Sequence, residues 1–124
     1  VGDYQMFANE RDNKNYDIFV GGWFSDYNDP LDFLNVMKTG VYDSYGLYSN
    51  SEYDSLIDSL TGENDNAKRL EIYQKLEDLL VAQDCGVAPL YYSDKHYYYQ
   101  NWVKDFYTSS FGASQELYRA TVEK

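Results

Sequence analysis

The sequence predicts an α/β fold in which helices pack on a small mixed sheet. Three features carry that expectation. "YDIFVGGWF", Tyr16 to Phe24, is a near-continuous apolar run of strand length, the pattern of a strand covered on both faces. From about Ala67 to Gln83 the apolar residues fall at helical spacing. After Pro89 the chain becomes tyrosine-rich and reads as extended. An order of strand, helices, strand and tail is that of helices laid on a sheet.

Each element has its own local signal. Residues 2–12, "GDYQMFANERD", carry Tyr4, Phe7 and Ala8 at helical spacing and read as the end of a helix. In "NDPLDFLNVMKTG", Asp29 is a cap, Pro30 suits the first helical position, Asp32 sits in the first turn and Gly40 closes a short helix. Residues 41–50 form a loop rich in tyrosine, serine and asparagine. Ser51 then opens a second helix, with Asp54 completing a capping-box-like pair; Tyr53, Leu56, Ile57 and Leu60 follow at i, i+3, i+4 and i+7, and Gly62 ends it. In the third helix Ile72, Tyr73, Leu76, Leu79 and Leu80 share one face, and Gly86 is its stop. "VAPLYYS" and "KHYYYQNW" read as extended, with Pro89 at a strand start or edge, and "SQELYRATVEK" as a last strand.

At 124 residues the chain fits one domain or part of one. A valine at position 1 and a first segment that reads as mid-helix suggest a piece of something longer. Its apolar stretches fall far short of the ~20 residues a spanning helix needs, so this piece is expected to be soluble. The formal charge of −11 repels phosphate backbones and argues against nucleic acid as a partner. Cys85, the single cysteine, has no internal disulfide partner. Aromatics make up 19% of residues, 15 of them tyrosine; tyrosine suits half-dry surfaces that meet a ligand, and equally the faces of half-buried strands and helices.

Catalytic and cofactor patterns are missing. His96, the one histidine, lies in an extended segment without neighbours at metal-ligand spacing. No G-x-S-x-G elbow occurs for a serine nucleophile, and neither phosphate-loop glycine pattern follows the "VGGWFSD" strand end. No catalytic residue, metal or cofactor is therefore expected. Asp29 and Asp32 are explained by helix-start chemistry, which leaves Asp26 as the unexplained acid. Two readings of it stand. It can form an Asx-type turn into the helix. Alternatively, two glycines at a strand end let a ligand backbone approach, an extended peptide bonds to main-chain groups around Gly22 and Phe24 by strand addition, and Asp26 accepts the peptide ammonium.

"YDIFVGGWFSDYNDPLDFL", "YDSLIDSL", "KRLEIYQKLEDLLV" and "VAPLYYSDKHYYYQNWVKDF" resemble, in that order and spacing, the C-terminal part of the extracellular solute-binding proteins of oligopeptide and dipeptide ABC importers, the family 5 proteins. The likeness runs over nearly the whole chain. Its most specific pieces are Gly-Trp-x-x-Asp-Tyr-x-x-Pro and Ala-Pro-Leu-Tyr-Tyr followed by Trp102, Val103 and Lys104.

That resemblance implies a fragment of a two-lobed type II periplasmic-binding-protein-like fold, with residues 1–124 as the C-terminal portion of the solute-binding domain and 105–124 returning toward the other lobe. It implies no catalysis, a peptide as ligand, a membrane permease as partner, and a location in the periplasm or, lipid-anchored, on the extracellular face of the membrane. At the residue level it implies that Asp26 receives the α-ammonium, that the backbone at Gly22 and Phe24 bonds the peptide, and that Trp23 belongs to the same motif. Arg11 and Tyr4 fall near positions that supply a carboxylate partner and an aromatic wall. Well-studied members carry a bridged cysteine at the position of Phe24, and can carry a carboxylate-holding arginine at that of Val20. Members that bind nickel complexes or oligosaccharides leave another small solute as the alternative; an acid-catalysed hydrolase or a protein-binding module are the rivals from other classes.

Overall fold

The computed structural model describes residues 3–41, 47–109, 111 and 117–123, and of Tyr4 the backbone alone. The chain divides into two compact units, Val1–Trp23 with Asp29–Pro89, and Phe24–Asn28 with Leu90–Lys124.

The first unit is helical. Helix α1, Tyr4–Asp12, starts on a cap within the chain: Asp3 accepts the Met6 N–H at 2.9 Å. The expectation of a mid-helix start is thereby corrected. Helix α2, Leu31–Leu34, continues as a 3-10 turn over Asn35–Met37. The Asp29 carboxylate caps it as expected, taking the Leu31 N–H at 2.9 Å, and Gly40 follows at φ 78°. Helix α3, Ser51–Ser59, is capped by Asn50, whose side chain accepts the N–H groups of Glu52 and Tyr53. Ser51 is thus its first helical residue. Asp54 reaches out instead of back, accepting the Thr39 N–H at 3.0 Å. Asn outranks a capping box here because its short amide meets two orphan N–H groups at once.

Helix α4, Asn66–Glu77, is capped by Asp65 and widens into a π-helical segment over Asp78–Gln83. The added residue per turn shifts the helical face, and Leu79 and Leu80 are both buried. The expected stop at Gly86 is corrected: the segment ends at Gln83 and Cys85 takes the left-handed turn at φ 52°, while Gly86 is needed for close approach, since a Cβ there would stand 2.6 Å from the Tyr48 side chain. The core joins Leu34, Val36 and Met37 to Tyr53, Ile57 and Leu60 of the α3 region and Tyr73, Leu76, Leu79 and Leu80 of the α4 region. Tyr53 is fully buried yet satisfied, its hydroxyl donating to the Leu34 carbonyl at 2.8 Å.

The apolar run Tyr16–Phe24 carries no strand assignment and bends at Asp17. Ile18 is 85% exposed and Val20 69% exposed, so the expected buried strand is corrected. A strand covered on both faces is a strand in a ladder, and this run carries no strand assignment.

The second unit carries the sheet, which is antiparallel rather than mixed. Strands β1, Val103–Lys104, and β2, Thr121–Val122, pair Val103 with Val122 and Lys104 with Thr121. The Glu123 N–H extends the ladder to the Trp102 carbonyl at 2.9 Å. The last strand therefore finds its partner inside the chain. Residues 85–100 carry no helix or strand assignment; Tyr92 is 98% and Tyr98 94% exposed. The loop tyrosines Tyr42 and Tyr45 lie outside the described residues. Among the described residues no helix is long and apolar enough to cross a membrane.

Candidate functional site

The segment of interest runs from Gly22 to Asp32. Gly22 is exposed, and a Cβ added to it would meet no described atom within 4 Å. Open space over a glycine is what close approach by another backbone requires. Trp23 is half-buried, packs against the core and donates its indole N–H to Asp32 Oδ2 at 3.2 Å. Asp32 is itself buried, 6% exposed. It was expected to serve only the helix start; the structure adds a tether to Trp23.

Asp29 is the busiest carboxylate of the helical unit. Besides the Leu31 N–H, its Oδ1 accepts the Tyr73 hydroxyl at 2.6 Å and its Oδ2 accepts Arg69 Nη2 at 2.7 Å. Arg69 Nη2 also bonds the Tyr73 hydroxyl, while Nη1 donates to the carbonyls of Leu60, 3.3 Å, and Glu63, 3.1 Å. The last-turn carbonyl of the α3 region is thus satisfied by a side chain of α4. Burial works against the Asp29 charge. The bonds from Tyr73 and Leu31 and the Arg69 guanidinium prevail, and hold its carboxyl below the ordinary range. Burial, then the bond to Asp29 and that carboxylate's charge, push the Tyr73 phenol up to about 12.

A second tie holds the far end of α4. Tyr48 hydroxyl and Asn50 Nδ2 both donate to Asp84 Oδ2 at 2.7 Å. Burial first, then Asp84, raises the Tyr48 phenol.

Gly22 and Trp23 belong to the helical unit, as does Arg11, which sits in the last turn of α1 and pairs with Asp12 at 2.7 Å. Tyr4 opens that helix. Phe24 and Asp26 belong to the second unit. Both are exposed, Phe24 by 63%, and Lys95 Nζ lies 4.9 Å from the centroid of the Phe24 ring. The motif therefore spans the junction between units, and its six expected residues form one site only as a proposal. An open concavity of about 370 Å³ beside the ladder is lined by Asp105, Phe106, Tyr107, Tyr118 and Arg119, none of them an expected site residue. Among the described residues no cluster of His, Cys, Asp or Glu is arranged to hold a metal.

No protein-family model matches the chain. Over 101 residues, 82% of its length, it is 30% identical to the periplasmic oligopeptide-binding protein OppA of Salmonella typhimurium. Over 105 residues, 83% of its length, it is 30% identical to the oligopeptide-binding protein OppA of Bacillus subtilis. The chain is thus similar, over about four fifths of its length, to oligopeptide-binding proteins. It spans 18% of the length of each of these curated relatives. The substrate-binding domain of an oligopeptide ABC transporter from Bacillus anthracis matches all of it and 24% of that chain, with a TM-score of 0.82 at 28% identity. The fold class expected from sequence thus stands, with its sheet reduced to one short antiparallel ladder.

Asp26 was legible as the acid left over after helix-start chemistry. Asp32, Arg69 and Tyr73 were missed as neighbours of the motif. For the last two a signal existed: Arg69 and Tyr73 are four residues apart and so share a helix face. For Asp32 no signal did, because burial of a first-turn acid is decided by what packs over it.

Proposed function

We propose that the chain is the C-terminal portion of a solute-binding protein that captures extended oligopeptides or dipeptides and delivers them to the permease of an ABC importer. Asp26 accepts the peptide α-ammonium, and the backbone at Gly22 and Phe24 bonds the peptide main chain. Trp23 lines the motif, and Arg11 and Tyr4 contribute a carboxylate partner and an aromatic wall from α1. The protein catalyses nothing and works in the periplasm or, lipid-anchored, at the outer face of the membrane. Residues 105–124 return toward the second lobe.

One observation carries the reading. In a chain similar to oligopeptide binders, an exposed glycine with open space above it is followed four residues later by an exposed carboxylate. A main chain can approach the first while its ammonium reaches for the second, and a charge-assisted bond fixes the peptide's register. Closure of two lobes would exclude water and strengthen that bond. Phe24 cannot form the bridge that a cysteine there would, and Val20 cannot hold a carboxylate. Peptide length is therefore set by groups other than these two.

Calorimetric titration of the full-length protein tests the ligand class. A pool of dipeptides to pentapeptides should bind with micromolar or tighter affinity, whereas nickel complexes and oligosaccharides should give no heat. Heat from either of those and none from peptides would replace this reading with the small-solute alternative.

A further inference from the structure

We infer that Lys95 is a specificity-determining residue of the peptide site, taking a carboxylate that the peptide carries about two residues beyond its amino terminus. The inference rests on the roles proposed above for Asp26 and the Phe24 backbone. Phe24, Asp26 and Lys95 all belong to the second unit.

The ion pairs formed among the described residues, on Arg11, Lys38, Lys68 and Arg69, all lie in the helical unit. Lys95 is exposed, and its ammonium stands 4.9 Å from the centroid of the Phe24 ring, which is itself 63% exposed. Acids are plentiful in a chain of formal charge −11, yet among the described residues this ammonium rests on a ring and not on a carboxylate. Its charge is left for a ligand to neutralise. A cation over an exposed ring is held more weakly than one in a charge-assisted bond, and the flexible four-carbon stem of lysine lets it turn. An arriving carboxylate can therefore draw Lys95 off Phe24.

Phe24 and Asp26 are two residues apart, at most about 7 Å along the chain. A peptide whose ammonium is on Asp26 and whose main chain bonds Phe24 covers the same span in two of its own residues. Two sources of carboxylate fall there: the C-terminus of a dipeptide, and an acidic side chain at the second or third position of a longer peptide. The net negative charge of the chain opposes both at long range. A local cation thus decides whether such peptides are accepted.

Calorimetric titration of the full-length protein provides the test, with alanyl-alanine against its C-terminal amide, and tetra-alanine carrying glutamate against tetra-alanine carrying glutamine at the second or third position. The carboxylate-bearing member of at least one pair should bind about two- to fivefold more tightly, the worth of an exposed ion pair. Lys95→Met keeps the stem and loses the charge, and should abolish that preference; Lys95→Arg should preserve it. Preference confined to the dipeptide pair assigns the C-terminus and preference confined to the tetrapeptides assigns the side chain, and either bears the inference out. No preference in the wild type, or one that survives Lys95→Met, overturns it. N-acetylation of the same peptides separates the two readings. If acetylation leaves wild-type affinity unchanged, the role of Asp26 fails and this inference with it; if acetylation weakens binding and Lys95→Met leaves the preference intact, this inference alone fails.

Discussion

At Asp29 one carboxylate serves a backbone N–H, a phenol and a guanidinium, and the pH dependence of stability follows from those partners. Its folded pKa lies below the ordinary value of 3.8. Its contribution is therefore complete above the unfolded pKa and is lost as the pH falls through the lower folded one. Tyr73 is raised to about 12 from 10.0, so its contribution is complete below about pH 10 and disappears as the pH climbs from there through about 12. We predict that Tyr73→Phe costs about 1.5–3 kcal/mol of stability at neutral pH, the worth of a hydrogen bond to a charged group. It should also flatten the fall in stability between about pH 10 and 12, which denaturant midpoints collected across that range would measure. An unchanged alkaline limb would mean that the Tyr73 phenol is not raised by its burial and by Asp29.

The helices owe their placement to contacts that sequence periodicity shows unequally. Tyr53, Ile57, Leu60, Tyr73, Leu76, Leu79 and Leu80 repeat at helical spacing, and all are buried. Leu76 is fully buried, and Leu76→Ala should cost about 2–5 kcal/mol through lost transfer energy and the cavity left behind. Tyr53→Phe should cost about 1–3 kcal/mol by stranding the buried Leu34 carbonyl; chemical denaturation checks both. Periodicity was enough for these helices because an apolar face at helical spacing buries itself whichever element covers it, here a core that joins segments from Leu34 to Leu80. It misled at Tyr16–Phe24, where composition speaks for a buried strand while burial itself depends on backbone partners that composition cannot supply. The expected cap of α3 failed for a related reason. Asn50 and Ser51 are both competent, and only the path of the chain decides which takes the orphan N–H groups. Asp26 was legible as a leftover acid, whereas the ties of Trp23 to Asp32 and of Asp29 to Arg69 and Tyr73 join positions as far as 44 residues apart.

On the scale of the whole protein, the proposed role requires more chain than these 124 residues, which span 18% of the curated relatives. The exposed Ile18 and Val20 and the exposed tyrosines between Tyr91 and Tyr99 leave apolar surface open, a template for association with other chains. Expressed alone, the 124-residue chain should self-associate in sedimentation and bind peptides poorly. In the full-length protein the amides of residues 16–24 should exchange at least tenfold more slowly than in the isolated chain. Equal exchange in both would show that this run is not a sheet strand in either setting. The central claim, that Asp26 receives a peptide's ammonium, is tested most directly by the affinity of the full-length protein for one tripeptide with a free amino terminus and for its N-acetylated form, before and after Asp26→Asn. A charge-assisted bond of about 1.5–3 kcal/mol predicts that acetylation costs about ten- to a hundredfold in the wild type and close to nothing in Asp26→Asn. Equal binding of the two peptides by the wild type, or the same preference surviving the substitution, would contradict it.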